Sequence, residues 1–156
     1  MASSRFTYAT GRIVLYSKQK GFVKDAATLR AGNFDRIAIC NPRTAPYGAA
    51  AVEAMKALGV YDQLRYKFVE GTNVAQAYQF VKTGNAELGF VALSQVILEQ
   101  GGSRWIVPSS LYTPIAQDAV LLIHGAGNPV AREFLDFLRG PAAAAVKQKY
   151  GYGPGE

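Results

Sequence analysis

"RIAICNPRTAPYGAAAVEAMKALG" (Arg36–Gly59) decides the fold, because it predicts a strand that passes through one short turn into a helix. Its first part, "RIAIC", is a short apolar run of the kind found in buried strands. Its last part, "AAAVEAMKALG", places Val52, Met55 and Leu58 at helical spacing and ends on a glycine, which favours a helix stop. We therefore predict a strand–turn–helix unit of an α/β protein here.

The turn in this unit is unusual for a helix start. Pro46, Tyr47 and Gly48 lie where the helix should begin, and the turn "NPRTAPYG" contains no carboxylate. The first N–H groups of a helix have no intrahelical partner, and the helix dipole places partial positive charge there. We expect unpaired amides near Tyr47 and Gly48, and these are suited to holding an anion.

A second junction, "YKFVEGTNVAQAYQFVKTG" (Tyr66–Gly84), is built in the same way. It predicts a short strand and then a helix capped by Thr72 or Asn73, with its first unpaired amides near Val74 and Ala75. Helix starts at the carboxyl edge of a parallel sheet are common anion sites. Every α/β protein has such helix ends, so this feature alone does not identify a ligand.

The remaining chain alternates apolar runs with helical patterns. Further strands are predicted at Gly11–Ser17, Ala86–Leu93, Arg104–Pro108 and Asp118–Gly125, and further helices at Ser94–Gly102, Asn128–Gly140 and Pro141–Gly151. In the helix that starts at Pro129, we expect Phe134, Phe137 and Leu138 to face inward. This alternation predicts an α/β sandwich with a mixed sheet.

Composition fits an ordinary globular chain and leaves the partner open. The sequence has 156 residues, of which 49% are hydrophobic and 18% are charged, and its formal net charge is +6. A basic balance suits nucleic acid or a small anion, but the Lys and Arg residues are dispersed and form no basic run. Cys40 is the single cysteine, so no internal disulfide can form, and its apolar surroundings indicate a small buried hydrophobe.

Catalytic patterns are missing from the sequence. His124 is the only histidine, and no Ser or Cys near it has the context of a catalytic triad, so we interpret it as structural. The carboxylates Asp118, Glu133 and Asp136 are interpreted as solvated or capping charges. We therefore expect no enzyme, no catalytic residue and no metal site.

Four stretches together carry a family resemblance: "NPRTAPYGAAAVEAMKALG", "EGTNVAQAYQFVKTGNAELGFVALSQV", "PIAQDAVLL" and "FLDFLRGPAAAAVKQKYGY". In this order they closely resemble the molybdate-binding proteins of bacterial ABC transporters, which are two-lobed periplasmic binding proteins. The resemblance implies a type II periplasmic-binding-protein lobe, with a mixed sheet flanked by helices. It also implies a receptor that closes around molybdate or tungstate, has no cofactor and delivers its ligand to a transporter permease.

The resemblance also implies how the anion is held. Neutral donors, chiefly backbone amides and hydroxyls, bind it without a metal. Carried onto this sequence, the donors are the backbone N–H groups of Tyr47 and Val74. Some family members add a tyrosine hydroxyl where this chain has Ala92, so a side-chain contact from that position is excluded. The resemblance does not separate molybdate from tungstate or sulfate.

Compared with the family, the sequence lacks the signal peptide and the first βαβ segment. We expect one complete lobe at 11–110, followed at 111–156 by a returning strand and the C-terminal helices of an incomplete lobe. Two consequences are weak binding by this chain alone and exposed apolar surface that favours a homodimer or strand exchange. The alternative is a self-associating interaction module without a ligand. Family members are periplasmic, whereas this chain as written has no export signal and would be cytoplasmic.

Overall fold

A computed structural model describes residues 2–155, which divide into two units, each with its own internal contacts. The larger unit is Arg12–Pro114, close to the lobe expected at 11–110. The smaller unit combines the chain from Ile115 onward with the segment that ends at Gly11. The sequence prediction had assigned the residues before position 11 to no domain.

Seven strands and seven helices make up the regular structure of the described residues. The strands are β1 (Phe6–Gly11), β2 (Ile13–Ser17), β3 (Ile37–Cys40), β4 (Phe68–Gly71), β5 (Leu88–Ala92), β6 (Ser103–Ile106) and β7 (Ile115–Ala119). The helices are α1 (Ala26–Ala31), α2 (Pro46–Ala57), α3 (Tyr61–Leu64), α4 (Val74–Thr83), α5 (Leu93–Val96), α6 (Pro129–Arg139) and α7 (Pro141–Lys149).

The larger unit contains a five-stranded mixed sheet, which confirms the predicted α/β class. The strand order is β4-β3-β5-β2-β6. β3 pairs in parallel with β4 and β5, whereas β2 pairs antiparallel with β5 and β6. Every residue of β2, β3 and β5 is buried. Strands covered on both faces need continuous apolar sequence, which is why these three runs were visible in the sequence.

Helix α2 begins against the end of β3, and Gly48 permits this close approach. A Cβ atom at Gly48 would overlap the Cys40 carbonyl oxygen. The helix starts at Pro46, earlier than the expected "AAAVEAMKALG", and proline suits this first position because it has no N–H to satisfy. The position of the α2 N-terminus therefore depends on a glycine that touches the strand before it.

A partly buried polar cluster fixes the other end of α4. Glu99 accepts hydrogen bonds from the hydroxyls of Tyr16 (2.6 Å) and Tyr78, and from Lys82 Nζ (3.0 Å). Burial opposes the ionisation of Glu99, but these donors outweigh it and lower its pKa. Burial, followed by the hydrogen bond to Glu99, raises the pKa of Tyr16 to about 12. The cluster ties α4 to β2 and to the segment after α5.

The smaller unit contains a two-stranded antiparallel sheet and two helices. β1 pairs with β7, with Phe6 opposite Ala119 and Gly11 opposite Ile115. The strand expected at Asp118–Gly125 is therefore misplaced. β7 ends at Ala119 because the ladder with β1 ends there, and His124 lies exposed in a 3-10 turn beyond it.

The inward orientation predicted for the α6 aromatics is wrong. Phe134 and Phe137 are 57% and 50% exposed, and their rings stack on one another with centroids 6.3 Å apart; Leu138 is half-buried. Within the described residues of this unit, nothing covers the apolar face of α6. Other exposed apolar side chains of the same unit are Val120, Leu122, Ile123, Val130 and Val146.

Replacing Gly48 with alanine should destabilise the larger unit, because the new Cβ overlaps the backbone at Cys40. We expect the free energy of unfolding to fall by about 1–3 kcal/mol, the usual cost of overpacking. Urea unfolding followed by the fluorescence of Trp105, the single tryptophan, measures it. Gly101→Ala is the matched control, because its Cβ meets nothing within 4 Å. Equal midpoints for the two variants would contradict the prediction.

Replacing Glu99 with glutamine should remove an acid-sensitive contribution to stability. Because the folded-state pKa of Glu99 is lowered, its contribution is present above the unfolded-state pKa and is lost as the pH falls through the folded-state value. The wild type should therefore lose more unfolding free energy than Glu99→Gln between about pH 5 and pH 3.

The loss at neutral pH should be about 1–3 kcal/mol, since the three donors lose a charged acceptor. Glu70→Gln is the control, because Glu70 is exposed in the same unit. If Glu99→Gln and the wild type lost stability in parallel on acidification, the assignment of the acid-sensitive group to Glu99 would be wrong.

Candidate functional site

Two helix N-termini meet at one edge of the mixed sheet. β3 and β4 are parallel neighbours, with Ile37 opposite Phe68 and Cys40 opposite Gly71. Their carboxyl ends therefore lie at the same edge, where β3 leads to α2 and β4 leads to α4. The Asn41 N–H donates to the Gly71 carbonyl at 2.7 Å and extends the pairing by one more residue. This bond joins the two junctions that the sequence singled out.

Asn41 organises the first junction. Its carbonyl accepts the Ala45 N–H at 2.9 Å, and its side-chain oxygen accepts the Arg43 N–H at 2.8 Å. The Gly48 N–H, expected to be unpaired, donates instead to the Ala45 carbonyl at 3.0 Å. This bond can form because Gly48 has no side chain that would hold the first turn of α2 away from β3. Tyr47 is the second residue of α2, so its N–H lies in the first turn, as predicted.

Asn73, one of the two cap candidates from the sequence, caps the second helix. Its side-chain oxygen accepts the Gln76 N–H at 2.9 Å, and the Gln76 side chain in turn accepts the Thr72 N–H at 2.7 Å. The N–H groups of Val74 and Ala75 donate to no other group in the part of the chain that the structure describes. Both are therefore available to an external acceptor.

The predicted donor residues Tyr47 and Val74 pack against the same cluster of buried side chains. Both side chains are partly buried and pack against the core group that contains Cys40 and Ala77. Neither helix has an acidic residue in its first turn, and α2 has no side-chain cap at Ala45. The first turns of both helices therefore present their dipoles without a neutralising carboxylate, which suits an anion.

Cys40 lies beneath this edge without chemistry of its own. Its side chain is buried, and burial raises the pKa of its thiol, so it stays protonated at neutral pH. This agrees with the small buried hydrophobe expected from the sequence.

Ala92 ends β5 near the same helices. It is buried, and its N–H donates to the Gln95 side-chain oxygen at 2.9 Å. The Gln95 amide nitrogen donates to the Val74 carbonyl at 3.3 Å. Sequence reasoning missed Gln95; the available signal was a glutamine three residues after the end of a buried strand, a position typical of helix capping.

A cavity of about 440 Å³ lies beside the first junction. Its lining includes Asn41 and Arg43 from the turn, Tyr61 and Phe68, and the carboxylate of Glu70. Glu70 would repel a dianion here, so this cavity fits an oxyanion less well than the helix edge does. Across residues 2–155, no group of three His, Cys, Asp or Glu side chains is placed to hold a metal ion, and no helix is both long and apolar enough to cross a bilayer.

Two curated proteins similar to this chain carry the same name. The chain is 54% identical to the molybdate-binding protein ModA of Azotobacter vinelandii and 51% identical to that of Rhodobacter capsulatus. These alignments cover 98% and 96% of this chain but 62% and 59% of the relatives. The chain thus spans about three fifths of the length of the curated relatives it matches, and these relatives are binding proteins rather than enzymes.

Solved structures agree on the fold. The periplasmic molybdate-binding protein of Azotobacter vinelandii superposes with a TM-score of 0.89 at 39% identity, over 97% of this chain and 68% of that one. A periplasmic thiamin binding protein matches with a TM-score of 0.68 at 19% identity, over 97% of this chain and 53% of that one. Because the second protein is named for an unrelated ligand, the fold alone does not select a ligand.

A match to a protein-family model identifies the family of this chain. The model described as bacterial extracellular solute-binding protein matches residues 1–153, nearly the whole sequence. The mixed sheet, the paired helix N-termini and the solved relatives agree with that match. The chain belongs to the bacterial extracellular solute-binding protein family.

Proposed function

We propose that this chain supplies one side of a binding site for a tetrahedral oxyanion, molybdate or tungstate, in an ABC-transporter solute receptor. The proposed donors are the backbone N–H groups of Tyr47 and Val74. The observation that carries the proposal is the meeting of α2 and α4 at the carboxyl edge of one parallel strand pair, joined by the bond from Asn41 to Gly71. The two relatives above half identity, both named molybdate-binding, supply the choice of anion.

Neutral donors suit this ligand. A dianion is stabilised by several N–H dipoles that point at it, and helix N-termini supply such dipoles without a counter-charge. No carboxylate lies in the first turn of either helix, so nothing there repels the ligand. A cage of amides recognises shape and charge, so we expect molybdate and tungstate to bind alike.

We expect the chain by itself to bind weakly. It covers 62% of the longer Azotobacter relative, and a dianion that meets only part of its donors is poorly compensated for lost hydration. The affinity should therefore be weaker than micromolar. In the longer receptor, the role would be delivery of the anion to a transporter permease in the periplasm, without catalysis or a cofactor.

Val74→Pro tests the donor directly, because proline removes one N–H and little else. Val74 is the first residue of α4, where proline is tolerated, and Asn73 already has the extended backbone (φ −150°, ψ 172°) that proline requires before it. Val74→Ala is the control, since it trims the side chain but keeps the N–H.

The measurement is an NMR titration of the ¹⁵N-labelled chain with molybdate, with chloride at equal ionic strength as a blank. In the wild type and in Val74→Ala, the Tyr47 and Ala75 amide signals should shift. In Val74→Pro, the response should weaken about ten- to hundredfold, the value of one hydrogen bond to a charged group. Equal responses from the two variants would refute Val74 as a donor.

The exposed apolar face of the smaller unit supports a second proposal: association with another copy of this chain through α6. Val130, Phe134 and Phe137 recur on one face of the helix, and all are at least half exposed. Leu122 and Ile123 of the same unit are exposed as well, and exposed apolar patches are typical of association surfaces. Along α6, Glu133 and Asp136 lie between Arg132 and Arg139, so these four residues add no net charge that would oppose association with another copy.

Sedimentation equilibrium should therefore show a dimer for the wild type and a monomer for the double variant Phe134→Lys/Phe137→Lys. Leu98→Lys is the control, because Leu98 is equally exposed (57%) but lies in the larger unit. A monomeric wild type at high concentration would refute the proposal. A dimer that survived the double substitution would also exclude the α6 face and would point to strand exchange.

A further inference from the structure

We infer that Gln95 is a positioning residue for the oxyanion site, because its side chain holds the first turn of α4 against the end of β5. The inference rests on the proposed function, and it assigns how the amides at the start of α4 are oriented. It also adds the Ala75 N–H to the donors proposed above.

One side chain makes both contacts. Gln95 Oε1 accepts the Ala92 N–H at 2.9 Å, and Gln95 Nε2 donates to the Val74 carbonyl at 3.3 Å. Ala92 is the last residue of β5, and Val74 is the first residue of α4. A side chain that is half-buried and bonded at both ends links these two elements where the donors lie. The α4 N-terminus is thereby fixed relative to the sheet.

The bond to Val74 acts on the neighbouring donor. The Val74 carbonyl and the Ala75 N–H belong to the same peptide group, so a hydrogen bond to that carbonyl polarises the group and strengthens its N–H as a donor. The Ala75 N–H donates to no group in the described chain, and Ala75 is exposed. Gln95 therefore orients and activates an amide that is open to an external anion.

Only a primary amide serves both contacts at once. The Ala92 N–H takes an acceptor, the Val74 carbonyl can accept a second donor beside its helical bond, and glutamine carries both groups on one flexible stem. A glutamate would serve only Ala92 and would place negative charge beside a helix N-terminus that must receive an anion. Methionine has nearly the same length and serves neither contact. The choice of residue at position 95 thus follows from the two groups it meets.

Gln95→Met is the test variant. Gln79→Met is its matched control, because Gln79 lies exposed on α4, the helix that Gln95 contacts. Without ligand, the ¹⁵N signal of Ala75 should move upfield in Gln95→Met when the Val74 carbonyl loses its donor, and it should stay in place in Gln79→Met. A purely structural role in starting α5 would leave this signal unchanged. Gln95→Ala is the second variant if methionine disturbs the packing.

A titration with molybdate completes the test. The apparent affinity should fall about three- to tenfold in Gln95→Met, the value of one ordinary hydrogen bond, and should stay unchanged in Gln79→Met. If the wild type shows no response at Val74 and Ala75, the proposed function itself fails. If the wild type responds and Gln95→Met responds equally, or if the Ala75 signal does not move, the positioning role is refuted while the proposed function stands.

Discussion

The hydrogen bond from the Asn41 N–H to the Gly71 carbonyl is the constraint on which the site depends. It continues the parallel pairing of β3 and β4 past their last residues, so the segments that follow the two strands leave the sheet at the same level. Each then turns into a helix whose first amides face the same edge. If the register slipped by one residue, the alternation of side chains would bury polar groups, and the two junctions would no longer meet. The position of the donors is therefore set by strand pairing rather than by the loops.

The start of α2 lacks a stabilising side-chain cap, whereas the start of α4 has one. Helix starts favour Asp, Ser or Thr caps and acidic residues in the first turn, each contributing about 1 kcal/mol. At α2 the cap position holds Ala45, which makes no side-chain cap, and at α4 the cap is the neutral Asn73. A carboxylate would stabilise either helix in the empty protein but would repel an anion. An uncapped α2 and a neutral cap on α4 are therefore compatible with the proposed anion site.

The sequence predicted what local chemistry determines. The strand before Asn41, the stop at Gly84 and the cap at Asn73 all follow from apolar spacing and capping preferences, and the structure confirms them. Contacts between distant residues were not visible. β1 was missed because its partner β7 lies more than a hundred residues away, and nothing in "RFTYATG" shows that pairing. Gln95 was missed for the same reason, since its bond to Val74 joins two elements.

The wrong orientation of Phe134 and Phe137 has a different cause. The helical pattern correctly gave α6 an apolar face, but a pattern states only that a face should be covered, not what covers it. Eight of the eleven large hydrophobic side chains found exposed belong to the smaller unit, whereas the sheet of the larger unit is closed over by its own helices. In the described residues of the smaller unit, Val130, Phe134 and Phe137 of that face stay at least half exposed. The proposed anion site and the proposed association surface thus lie in different units, so substitutions can test each one separately.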